Sequence, residues 1–262
     1  MAKKQQKRKP KQPLWITFTQ AAMIAALLLF VEFVVSRGYV NPIFLASPTQ
    51  ITNELLYMLE KNTLLPHLLI TLQEAAVGYV IAAVTGISIG VLFVTFPKVE
   101  KLFTPFFAAL MAIPKTAIMP LLIVWFGIGF RSKVVMVFLF CMFTVLFNTV
   151  SGAKQTKAEH LKVAKVFEAN HAQIIFKILL PSALPSIFAG LRVTAATAIT
   201  GVLFAEMVAS RGGAGFLLSE AQQVLNTPEL FLIIIIVTIL SVLFVTFINF
   251  IEYIVCHNWR TM

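Results

Sequence analysis

Long apolar runs alternate with short polar joints along this chain. Apolar stretches fall at 15–35, about 67–96, about 102–127, 134–151, about 186–208 and about 230–256. Most approach the roughly 20 residues that a helix needs to cross a bilayer. A backbone in lipid must satisfy its own N–H and C=O groups, and a helix does so within one segment. The pattern therefore predicts an all-α integral membrane protein with six transmembrane helices. It divides the chain into a tail at 1–14 and one membrane body at 15–262.

The joints carry most of the detail. Residues 37–66 are punctuated by Pro42, Pro48 and Pro66. Within them Ser47-Pro48, followed by Ile51, Leu55, Leu56 and Leu59, predicts a short capped amphipathic helix at the outer surface. The second span holds Ala82, Gly86 and Gly90 at four-residue spacing, a stripe that lets a neighbouring helix approach closely. Residues 97–101 read as a tight basic turn. Pro114 and Pro120 interrupt the third span, and each removes a helical hydrogen bond. Broken helices at membrane depth occur where protein covers them or a cavity faces them. A glycine-rich loop, 211–215, separates the fifth and sixth spans.

Composition narrows the chemistry. Of 262 residues, 59% are apolar and 12% are charged, about half the charged share of a soluble domain. All eleven acids are Glu. Without Asp there are no aspartate metal clusters or nucleotide-site Mg²⁺ ligands, and no G-x-x-x-x-G-K-[ST] phosphate loop occurs. Any ATP is hydrolysed by another chain. Cys141 and Cys256 read as small buried hydrophobes. The four histidines are scattered, so no metal site is expected.

The net charge of +10 is unevenly placed. Six Lys/Arg crowd into 1–14, which reads as a nucleic-acid arm or, better, as a segment kept inside and drawn to anionic lipid. The run at 15–35 exceeds a typical signal-peptide core and is read as the first span. With the N-terminus inside, the inner pieces (1–14, 97–101, 152–185, 257–262) carry fourteen Lys/Arg. The outer pieces carry five: Arg37, Lys61, Arg131, Lys133 and Arg211. That bias predicts cytoplasmic N- and C-termini.

Residues at about 153–185 form a lysine-studded polar segment between spans four and five. Leu161, Ala164, Val166 and Phe167 offer an apolar face on a first helix. Asn170-His171-Ala172-Gln173 has the form of a capping box that starts a second helix. Pro181 and Pro185 are expected to end that helix and launch the next span at an angle. An amphipathic pair of this kind needs a bilayer surface or another protein to cover it.

On these residues the chain resembles the inner-membrane permease subunits of binding-protein-dependent ABC importers. Their cytoplasmic signature is E-A-A-x-x-x-G-x9-I-x-L-P. Ile178, Leu180, Pro181 and Ala164 match it, whereas Lys162, Val163 and Glu168 stand where the family has Glu, Ala and Gly. Ala112-Ile-Pro114-Lys-Thr-Ala117-Ile-Met-Pro120, Trp125-Phe-Gly127-Ile-Gly129, Gly190-Leu191-Arg192, Ala205-Glu206-Met207 and Gly213-Ala-Gly215 look like the sulfonate/nitrate/taurine branch.

The resemblance implies a six-span type I importer permease (MetI-like) fold in a prokaryotic inner membrane. It implies no enzymatic role and no cofactor on this chain, with ATP and Mg on a separate subunit. Implied partners are a second copy of the chain, two ATP-binding cassette subunits on the cytoplasmic side and an extracytoplasmic substrate-binding protein. Lipid surrounds the assembly, and no nucleic acid is involved. The solute would be a small organic anion such as a sulfonate, taurine or nitrate, or alternatively a thiamine-precursor pyrimidine or another small organic solute. The coupling segment would comprise Lys162, Ala164, Phe167, Glu168, Ala169, Asn170, His171, Ile178, Leu180 and Pro181. A Glu at the family's Gly position is expected to stiffen or extend the first helix.

Candidates for the translocation pathway are Pro114, Lys115, Pro120, Asn148 and Glu206, with Glu74 and Glu32 as weaker ones. Lys115 suits an anionic solute or a carbonyl at the helix break. Glu206 suits a pathway or dimer contact, or interfacial packing. Arg192 lies about 21 Å from Glu206 along a helix and is expected to snorkel towards headgroups. A stand-alone carrier would show inverted repeats, and a membrane enzyme would show clustered polar groups at one depth. The sequence displays neither.

Overall fold

The computed structural model describes residues 14–260, apart from the side chains of residues 14, 17, 165 and 257–260. The basic tail expected at 1–14 lies outside the described residues except for position 14. All regular structure among the described residues is helical. The order is α1 (Leu14–Ser36), α2 (Pro48–Glu60), α3 (Leu64–Thr95), α4 (Pro97–Ala112), a 3₁₀ turn (Lys115–Ile118), α5 (Met119–Phe126), α6 (Phe130–Lys154), α7 (Ala158–Val166), α8 (His171–Ile174), a π turn (Ile175–Leu179), α9 (Leu180–Val208), α10 (Ala214–Gln223) and α11 (Thr227–Arg260). Among the described residues five segments are long and apolar enough to cross a membrane, and the count reaches six when the pair Pro97–Ala112 and Lys115–Phe126, bent by 82°, is taken as one span.

Helices α3, α6 and α9 form the centre, with α11 against α9, α10 between them, and α2 on α11. The small-residue stripe of α3 faces α6 as its spacing predicts. A Cβ on Gly78 would stand 2.6 Å from Val137 Cβ, and one on Gly90 would stand 2.7 Å from Thr149 Cβ. Side chains there would force the two helices apart, so glycine sets their separation. Tyr79 crosses the centre, donating its hydroxyl to the Leu191 carbonyl at 2.8 Å and packing edge-on against Phe244.

Local chemistry explains the ends of α2. Ser47 and Gln50 form a reciprocal capping box, and Pro48 occupies the first turn. The Glu32 carboxylate of α1 accepts the Thr49 N–H at 3.0 Å, so α1, otherwise largely exposed, is tied to the start of α2.

Three sequence expectations need correction. Residues 97–101 are the first turn of α4 rather than a tight turn, because Pro97 sits where a helix needs no N–H. The third span breaks once, not twice. Ile113, held extended by the following Pro114, ends α4, whereas Pro120 lies harmlessly in the first turn of α5. Pro181 and Pro185 do not end the second hairpin helix. The turn at Ile175–Leu179 widens to π geometry, with Leu180 N–H bonded to Ile175 O, and helical structure runs from His171 to Val208. The widened turn gives the Pro181 ring room at a point where it has no N–H to donate.

Candidate functional site

Three constellations carry the chemistry that the sequence singles out. The first is the hairpin. Helix α7 turns Leu161 and the buried Ala164 inward and leaves Val163, Val166 and Phe167 exposed, the last two by 79% and 80%. The apolar face expected at Leu161, Ala164, Val166 and Phe167 is therefore divided between an inner and an outer side. Lys162 is exposed beside that outer face.

The helix does not extend through Glu168, contrary to the expectation. Glu168 takes a left-handed conformation, φ 50°, and the Ala169 N–H closes onto the Ala164 carbonyl at 2.9 Å. This is the helix-ending motif that normally employs glycine. The family's Gly position is thus a left-handed turn that this chain makes with Glu. Asn170 and Gln173 form both bonds of the predicted capping box, at 2.8 and 2.9 Å. His171 is exposed on the next turn, and Ile178, Leu180 and Pro181 are half-buried where the π turn meets α9. A cleft of about 380 Å³, lined by residues including Thr95, Lys154, Leu161 and His171, separates the hairpin from the ends of α3 and α6.

The second constellation is the broken span. Pro114 and Pro120 are exposed, and the half-buried Lys115 places its ammonium 5.8 Å from the centre of the Phe140 ring on α6, within range of a cation–π attraction. Asn148 lies elsewhere. Its amide donates to the Thr144 carbonyl of its own helix, and its Cβ packs against Gly190 at the α6–α9 contact.

The third surrounds Glu206, which is 1% exposed. Its carboxylate accepts the Thr71 hydroxyl at 2.8 Å and the Gly215 N–H at 2.7 Å. Thr71 in turn accepts the Ala214 N–H at 2.7 Å, and His67 Nδ1 accepts the Gly213 N–H at 3.0 Å. The loop after α9 is thereby laced to α3. Gly213, at φ 108°, and Gly215 are required by this clasp, since a Cβ on Gly213 would collide with the Glu206 carboxyl group.

Beside the clasp, the buried Lys133 of α6 bonds Glu74 at 3.1 Å and the Ser210 hydroxyl at 2.6 Å, and that hydroxyl donates to the Gly212 carbonyl. Lys133, expected in an outer turn, is instead enclosed against Glu74, a weaker pathway candidate. The pairing joins residues 59 positions apart, which no local pattern announces. Arg192 likewise pairs with Glu252 of α11 at 2.8 Å rather than reaching alone for headgroups.

A helical bundle of long apolar spans, one of them sharply broken, with an amphipathic hairpin between two others, defines a polytopic membrane protein. The chain belongs to the binding-protein-dependent transport system inner membrane component family, whose profile matches residues 78–260. It is 31% identical over 80% of its length to a Bacillus subtilis protein named for aliphatic sulfonates transport, the permease SsuC, of which 76% is covered. It is 29% identical to the taurine transport system permease TauC of Escherichia coli, covering 78% of this chain and 76% of that one. It is 30% identical to the riboflavin transport system permease RibX of Chloroflexus aurantiacus, covering 83% and 81%. Its fold matches a chain of the MetNI methionine ABC transporter, solved in inward-facing conformations, with TM-score 0.65 and 21% identity over 73% of this chain and 95% of that one. The protein is an ABC importer permease of the inner membrane.

Proposed function

We propose that two copies of this chain form the transmembrane pathway of an ATP-driven importer, with both termini in the cytoplasm. An external binding protein delivers a small organic anion, of the sulfonate or taurine kind. Two separate ATP-binding subunits, holding ATP and Mg, grip the α7 hairpin. The observation that carries this reading is the exposed trio Val163, Val166 and Phe167. It is held on a short helix locked at its end by the Glu168 turn and followed by the Asn170 cap. An apolar face made this rigid is pre-organised for a protein partner, since little entropy remains to be lost on docking.

Closure of the ATP-binding subunits moves the hairpins and exchanges inward and outward access. In this reading Lys115, at the break of the third span, offers a cation to an anionic solute along the path. The relatives named for sulfonates and taurine support the anion, and Lys115 is the side chain of this chain that favours it.

The test is reconstitution of the permease with its ATP-binding and substrate-binding partners in proteoliposomes. Uptake of radiolabelled taurine and alkanesulfonates is compared with that of riboflavin and a formylated aminopyrimidine. ATP-dependent uptake of a sulfonate supports the reading. Uptake without ATP hydrolysis refutes the importer mechanism, and uptake of riboflavin alone refutes the anion.

A further inference from the structure

The cleft between the hairpin and the bundle stands where two spans end. Thr95 is the last residue of the span Leu64–Thr95, Lys154 is the last of Phe130–Lys154, and both line it. Its opposite wall belongs to the hairpin, with Leu161 of α7, His171 of α8 and Ile175 of the π turn. At about 380 Å³ it falls within the range of small-molecule sites, about 300–1,000 Å³.

Three groups in the lining suit an anion. Lys154 brings an ammonium. Its bond to Glu100 of α4 uses one of its N–H donors and leaves others for an occupant. Glu100 itself lines a second cavity beside Lys154 and not this one. His171, exposed at the start of α8, carries a ring N–H in either tautomer. Thr156, in the joint between α6 and α7, lines the cleft with a hydroxyl that is enclosed and has no hydrogen-bond partner. Such a group costs free energy until a partner is supplied. Among the described residues no carboxylate lines the cleft, and the rest of its lining is largely aliphatic. Donors for an anion therefore stand beside a surface for hydrocarbon.

Position decides which anion. The ends of two spans lie at headgroup depth, and residues 152–185 put five Lys on that side of the membrane. Basic pockets between membrane helices on the lysine-rich side are suited to anionic lipid headgroups.

We propose that this cleft holds the headgroup of an anionic phospholipid. Its phosphate oxygens accept from Lys154 and His171, Thr156 turns its unpartnered hydroxyl towards them, and the glycerol end lies against Leu161 and Ile175. The lipid bridges the bundle to the hairpin. An occupied cleft fixes the stance of α7 against α6, whereas an empty one lets the hairpin shift. The inference requires only that the chain spans a membrane. It holds whichever solute is carried and whatever grips the hairpin.

The experiment is hydrogen exchange of the full-length chain in phosphatidylcholine nanodiscs, with and without phosphatidylglycerol. Phosphatidylglycerol should slow exchange across residues 155–179, and Lys154→Gln should abolish that protection. Glu100→Gln breaks the same ion pair but keeps the cation, so protection should survive. Lys157→Gln removes an equal charge from an exposed side chain outside the cleft and should also leave it intact. Protection that is absent in the wild type, that persists in Lys154→Gln, or that is lost in either control overturns the proposal.

Native mass spectrometry of the same variants in detergent gives a second readout, with added phosphatidylglycerol or phosphatidylcholine. The wild type should retain phosphatidylglycerol in preference, and Lys154→Gln should bind it about tenfold more weakly, the loss of one charge-assisted hydrogen bond. Equal retention of the two lipids overturns the proposal. Displacement of the lipid by inorganic phosphate also overturns it, and would assign the cleft to a soluble anion.

Discussion

Lys133 meets Glu74 at 3.1 Å across the α3–α6 contact, with both side chains almost wholly enclosed. Breaking a buried pair by removing one partner leaves an uncompensated charge, which costs about 3–5 kcal/mol, whereas removing both is far milder. Lys133→Met should therefore sharply lower the thermal midpoint of the detergent-solubilised protein. The double variant Lys133→Met, Glu74→Gln should recover most of that loss. Equal damage in the single and double variants would show that the ammonium matters for its bond to Ser210 and not for its charge partner.

The clasp makes a graded prediction at its two glycines. Gly213→Ala meets the Glu206 carboxyl group and also places a side chain at φ 108°, while Gly215→Ala meets the Leu203 carbonyl. Overpacking of this kind costs about 1–3 kcal/mol, and the strained backbone adds to the cost at Gly213. Both variants should lower the unfolding midpoint, Gly213→Ala further. Protease cleavage at the exposed Arg211 should accelerate in both.

Glu168 occupies a left-handed position at a cost of about 1–2 kcal/mol relative to glycine. Glu168→Gly should preserve the turn and the coupling of ATP hydrolysis to uptake. Glu168→Val, β-branched at φ 50°, should disorder the end of α7 and uncouple hydrolysis from transport. ATPase rate and uptake measured together on the reconstituted complex separate these outcomes. Full coupling in Glu168→Val would remove the turn from the mechanism.

Phe167 is exposed and leaves its own bundle almost untouched. Phe167→Asp should shift the stability of the isolated permease by no more than about 0.5 kcal/mol while sharply reducing co-purification of the ATP-binding subunit. A variant that retains its partner at wild-type yield would rule out the proposed grip.

What the sequence announces here is what short-range chemistry determines. Asn170 and Gln173 are three residues apart, so their reciprocal bonds can be read directly, as can those of Ser47 and Gln50. The stripe Ala82, Gly86, Gly90 is legible because helical periodicity puts its members on one face, although periodicity does not say that α6 is the neighbour. The clasp is illegible for the opposite reason. Thr71 and Glu206 are 135 residues apart, and nothing near either one encodes the other. Gly213 and Gly215 stand out as a loop and as part of the resemblance, but neither reading names what requires them, the Glu206 carboxyl group at Gly213 and the Leu203 carbonyl at Gly215. The prolines mislead in a third way. Whether Pro181 breaks a helix depends on whether the turn before it can widen, and that is a property of the folded segment.

The unbroken run from His171 to Val208 spans 38 residues, about 57 Å at helical rise. The capped end near His171 and the buried Glu206 are thus opposite ends of one stiff lever. A tilt of about 5° imposed at one end displaces the other by about 5 Å over such a length, more than a hydrogen bond can stretch. Force applied at the Asn170 cap need not be relayed through a chain of side chains. It arrives at the Gly213 loop as a shift in position of the rod itself.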